Sequence, residues 1–140
     1  MNDDTLFDFT HRCIYEAADI LRTEATFAPF ARALKTDGSV ERFACDDTDE
    51  RSCYTRLLAR LRAEVGMDDI DAAALVADVT IPAQYDPVSP TGIRVHLEEK
   101  AKRHKKVSAR LLYVPYDKAG GEVILHPPIS VGMPMEIYAP

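Results

Sequence analysis

Residues 72–81, AAALVADVTI, form a nearly unbroken apolar run with one charge, Asp78, inside it. Asp68, Asp69 and Asp71 precede it and Pro82 follows. The short length and the β-branched Val76, Val79, Thr80 and Ile81 predict a buried central strand, although the spacing also admits a helix starting near Asp71. Two other stretches carry the helical period. Leu6, Phe9, Cys13, Ile14, Ala17, Ala18 and Leu21 line one face of residues 4–24, opposite Asp8, Arg12, Glu16, Asp19 and Arg22. That is an amphipathic helix, with Asn2 or Asp3 available as its cap. Cys53, Leu57, Leu61 and Val65, widened by Tyr54 and Leu58, predict a second helix over 46–66. Asp47 and Glu50 resemble a capping box, and Gly66 is placed to close the helix.

The remaining segments read as strands. Asp37-Gly38 is a two-residue turn signal, with positive φ expected at both positions, joining Phe30 to Lys35 and Val40 to Ala44. In Ile93 to Glu99, Ile93, Val95 and Leu97 point one way and Arg94, His96 and Glu98 the other, as in a half-buried antiparallel strand whose polar row faces solvent or a partner. PAQYDPVSP, residues 82–90, reads as an extended loop, since each proline keeps the residue before it out of the helical region. Strands follow over 107–114, ending at Pro115, and over 122–126, with a short terminal strand near 136–138. One common surface for both apolar helix stripes is the economical solution. The expected fold is therefore α+β, a single domain over 1–140: an antiparallel sheet of about five to six strands with two helices on one face, in the order α-β-β-α-β-β-β-β.

Composition changes this picture little. Hydrophobic residues make up 46% and charged residues 29% of the chain, which fits a globular domain rather than disorder. No apolar stretch approaches a bilayer span and the amino terminus, MNDDTLFDFT, is acidic, so a cytoplasmic location is expected, with no membrane association. Three cysteines, Cys13, Cys45 and Cys53, without CxxC spacing point to reduced structural thiols rather than to a disulfide framework or zinc site.

Charge is unevenly placed. The net charge of −6 disfavours nucleic acid as a partner, yet residues 94–118 hold 8 basic and 3 acidic side chains. The densest part, KAKRHKK at 100–106, reads as an exposed hairpin tip able to meet phosphates or an acidic protein surface. Arg51, Arg56, Arg60 and Arg62 line the polar side of the second helix and read as a solvated face.

No catalytic constellation is legible. There is no G-x-S-x-G, and the glycines form neither G-x-G-x-x-G nor a phosphate loop. His11, His96, His104 and His126 are scattered, and only adjacency of their strands would let His96 and His126 meet Asp78 or Glu98 in a mixed site. Asp78 is otherwise expected to pair with Arg94 or Arg110. No metal, cofactor or catalytic residue is assigned. The binding candidates are Arg94, His96 and Glu98 on the strand and Lys100, Lys102, Arg103, Lys105 and Lys106 at the tip.

FAPFARALKTDGSV, ALVADVTI, IRVHLEEK and LLYVPYDK together resemble a group of small bacterial proteins with no established activity. In these a helix leads into PFA-x-x-L-x-x-DG-x-V, then a helix, a strand with ADV, and a meander with IRV-x-LE and PY. The resemblance covers about residues 15–117 and implies an α+β fold and a bacterial source, but carries over no functional residue. KAKRHKK departs from the short turn of that group. The element order is also similar, in topology alone, to roadblock and profilin-like adaptor folds. The expected function is a macromolecule-binding adaptor or accessory module without catalysis, whose partner is another protein or a second copy of itself. The alternatives are a small-ligand or metal-dependent enzyme built on Asp78, His96, Glu98 and His126, or nucleic-acid contact through the basic tip.

Overall fold

The computed structural model describes residues 2–45, 49–105 and 108–138. Helix α1 (Asp3–Thr23) begins where the Asn2 side chain accepts the Thr5 N–H at 2.8 Å, and Asp3 and Asp4 occupy its first turn. Strands β1 (Phe30–Lys35) and β2 (Val40–Phe43) form the expected hairpin, but only Gly38 takes a positive φ, +89°. The Gly38 N–H returns to the Lys35 carbonyl and the Asp37 carboxylate accepts the Ser39 N–H, so Asp37 keeps an ordinary φ. Helix α2 spans Glu50–Val65; the capping box expected at Asp47 lies outside the described residues. Gly66 stays right-handed, and the left-handed residue is Asp68, φ 63°.

Strands β3 (Ile70–Thr80), β4 (Thr91–Glu99), β5 (Ala109–Ala119), β6 (Glu122–Leu125) and β7 (Ile129–Met133) complete an antiparallel sheet of order β2-β1-β3-β4-β5-β6, with β7 also on β5. The α+β class and the order of elements are as expected, with β7 lying upstream of the 136–138 segment. β5 runs through Pro115, whose carbonyl still accepts the His126 N–H at 2.9 Å. β6 and β7 are two halves of one arm along β5. Tyr116 pairs with Leu125 and Tyr113 with Ile129, so one extra residue is accommodated where Pro127 and Pro128 offer no N–H to the ladder.

The two helices lie on opposite faces of the sheet, not on one. Ala72, Ala74 and Val76 of β3 join Ile93, Val95 and Leu97 of β4 beneath Phe9, Cys13, Ile14, Ala17 and Leu21 of α1. Ala73 and Leu75 turn the other way, with Ala31, Ala33 and Ile70, against Leu57 and Leu61 of α2. β3 is thus covered on both sides, which is why its sequence is a continuous run instead of an alternation, and why alanine, which lets a helix approach closely, dominates it. Burying each large side chain such as Leu21, Phe30, Leu61 or Leu75 contributes about 1.5–3 kcal/mol.

Candidate functional site

The polar row of β4 follows from register. Arg94, His96 and Glu98 pair with Ala77, Leu75 and Ala73, so they lie on the α2 side, Arg94 half-buried and the other two shut off from solvent. His96 is 1% exposed and Glu98 is 0% exposed. The Glu98 carboxylate accepts the backbone N–H groups of Glu136, Ile137 and Tyr138 at 2.9 to 3.1 Å, and His96 Nε2 lies 2.5 Å from it. A proton on Nε2 points at this carboxylate, and Nδ1 lies 3.5 Å from the Tyr54 hydroxyl. Arg94 stacks over the Tyr54 ring, 5.0 Å from its centre. The expected open binding row is therefore a closed network that straps the segment after β7 across the α2 face. Ile137 fills the core there, Tyr138 donates to the Ile70 carbonyl at 2.8 Å, and Arg62 donates to the Glu136 carbonyl at 2.6 Å.

The basic tip is partly self-neutralised. Lys100 reaches Asp68 at 2.6 Å and Lys102 reaches Glu99 at 2.8 Å, while Arg103 donates to the Lys100 carbonyl. Lys105 is exposed, and Lys106 lies outside the described residues. Asp78 takes neither arginine expected of it. It accepts from Thr26 at 2.6 Å and from the Tyr116 hydroxyl at 2.7 Å. Burial and this carboxylate hold the Tyr116 hydroxyl protonated, far above the usual phenol range. Asp78 pairs with Ile93 on the α1 side, while His96 and Glu98 face α2, and His126 pairs with Asp117 at 2.7 Å near the arm. The four residues of the mixed site do not converge, and among the described residues no three His, Cys, Asp or Glu groups do.

Cysteine chemistry also differs from expectation. Cys45 and Cys53 are disulfide-bonded, their Cα atoms 5.6 Å apart, tying the end of β2 to the first turns of α2. Cys13 is the buried free thiol, pushed up to about 12 by that burial.

A site absent from the sequence reading lies on the α1 side. Where the arm bends at its prolines, the sheet curls away from the amino-terminal half of α1 and leaves a groove of about 650 Å³, twice the 320 Å³ cleft beside Asp71 and Glu99. Leu97, Leu112, Val114 and Leu125 form its floor, Leu6 and Ile14 its helical wall. Arg110, His126, Pro128 and Ser130 rim the sheet side. Phe7, His11 and Tyr15 line the outer helix side as successive rings, centroids 4.0 and 5.8 Å apart. A mostly apolar concavity of this size with a few polar groups is the usual form of a small-molecule site. The available signal was Phe7 and Tyr15, aromatic yet outside the core stripe of α1, together with Pro127-Pro128 inside a strand pattern. No family model, curated protein or solved structure matches the chain, so the site is argued from its own geometry.

Proposed function

We propose that the protein is a binding module without a catalytic centre of its own, and that it holds an apolar small molecule in the groove between α1 and the β5 arm. The observation that carries this reading is the groove itself, open, apolar-floored and within the range of about 300–1,000 Å³ that such sites occupy. His96 and Glu98 are spent on holding the fold and offer no free group to a substrate. Titration with Nile red, an uncharged environment-sensitive dye, tests the reading. Saturable binding with a blue-shifted emission is expected, and Ser130→Trp, which fills the groove from an exposed position on β7, abolishes it. Equal binding by both proteins overturns the reading.

A second reading keeps the adaptor role, with another protein or a second copy as partner. The observation favouring it is the ridge beside the groove, where Phe7 is 66% and Tyr15 55% exposed, more apolar surface than a small ligand needs. Sedimentation of the wild type and of Phe7→Ser/Tyr15→Ser tests the homodimer: a monomer in both removes it. A cytoplasmic location is part of the proposal too. The Cys45–Cys53 bond weighs against it, because reducing compartments keep such pairs open.

A further inference from the structure

Resting on the groove reading, we propose that the occupant is an anionic amphiphile, a free alkyl carboxylate whose head group sits on Arg110 and whose chain lies along the floor toward the proline bend. Arg110 stands on β5 opposite Leu97 of β4 and Gly132 of β7, at one end of the apolar floor. Leu112 and Val114 follow on the same face, and His126 bonds to Pro115 at the far end. At about 3.3 Å per residue the floor runs about 13 Å from Arg110 to Val114. A cation at one end of an apolar channel selects a ligand with an anion at one end and an apolar body.

The two histidines of the groove are already committed. His11 Nδ1 lies 3.0 Å from the Phe7 carbonyl and His126 is held by Asp117. Arg12, Arg22, Arg32, Arg42 and Arg60 each have a carboxylate partner; among the described residues Arg110, like Arg62, Arg94 and Arg103, has none, and of these four it alone lines the groove. Asp3 is the single carboxylate in the lining, on the helix wall and not paired with Arg110. A guanidinium beside an apolar floor binds a carboxylate by paired charge-assisted hydrogen bonds, which neither an alcohol nor a cation reproduces.

The test is displacement of Nile red by dodecanoate, dodecanol and dodecyltrimethylammonium below their micelle concentrations, and by anionic phosphatidylglycerol vesicles, on the wild type and Arg110→Gln. Arg110 is exposed, so its replacement leaves the core intact. Dodecanoate is expected to bind about tenfold tighter than dodecanol to the wild type, and equally to Arg110→Gln, with dodecanol unchanged between the two proteins. Equal binding of acid and alcohol by the wild type, or an acid preference that survives in Arg110→Gln, overturns the proposal while leaving the groove reading standing. Arg110-dependent binding of vesicles without binding of free dodecanoate overturns it in favour of a lipid surface. Failure of Nile red and all three amphiphiles to bind removes the groove reading itself.

Discussion

His96 and Glu98, two residues apart on β4, share a 2.5 Å hydrogen bond beneath α2, and the same carboxylate gathers three consecutive backbone N–H groups from the segment after β7. A buried carboxylate is costly unless every lone pair is used, and here they are. Glu98 is in effect the knot between the middle of the sheet and residues 136–138. Glu98→Gln places an amide N–H₂ against donors, so it is expected to cost about 2–4 kcal/mol. Urea unfolding measures this, and a loss below about 1 kcal/mol would mean that the segment holds without the carboxylate.

The same group sets a pH dependence. Burial pushes the Glu98 carboxyl up, but the His96 hydrogen bond and the backbone donors together hold it below the usual range. A group depressed in the folded state contributes stability that is fully present above its unfolded value, about 4.3, and is lost as the pH falls through the folded value. The stability gap between wild type and Glu98→Gln should therefore be constant from about pH 7 to pH 5 and close below about pH 4. A gap that persists unchanged to pH 3 contradicts the assignment.

Gly92 predicts a steric effect in the sheet. A Cβ there would lie 2.6 and 2.8 Å from Ile81 side-chain atoms and 3.2 Å from the Val114 carbonyl oxygen. Gly92→Ala is expected to cost about 1–3 kcal/mol. Ile81→Val removes the nearest carbon, so the double variant should be less destabilised than the sum of the singles by at least about 0.5 kcal/mol. Simple additivity would place the strain against the carbonyl instead.

Thiol counting checks the disulfide. Denatured without reductant, the chain should react at one cysteine, Cys13, and after reduction at three. Closing so short a loop contributes about 2–3 kcal/mol, so Cys45→Ser/Cys53→Ser should melt lower in proportion. Native Cys13 should resist iodoacetamide until unfolding, since burial raises its thiol. Three reactive thiols before reduction would exclude the bond.

Local signals carried most of the architecture. The 3.6-residue period marked both helices, the Asp-Gly pair marked the hairpin, a β-branched apolar run marked β3 and strict alternation marked β4. The face of each helix was not legible from either helix alone, because a stripe says that it is covered but not by what. The clue lay in β3: six successive buried residues, Ala72 to Ala77, require a layer on both sides. The β4 row misled for a related reason. Alternation separates Arg94, His96 and Glu98 from Ile93, Val95 and Leu97, but polarity equals solvent exposure only when no partner arrives from a distance, and here the partners come from residues 54 and 136–138. The groove likewise depends on contacts between segments far apart in the chain.

The proline bend in the β6–β7 arm also bears on how copies of the chain can meet. A sheet grows into fibres or edge-paired dimers by offering a continuous comb of N–H and carbonyl groups along its outermost strand. Pro127 and Pro128 break the teeth of that comb midway, and at the opposite border β2 is only four residues long. Neither border is a good template for a neighbouring strand. Self-association through a side-chain surface escapes that restriction, and were it to use the Phe7 and Tyr15 ridge it would compete with whatever fills the groove.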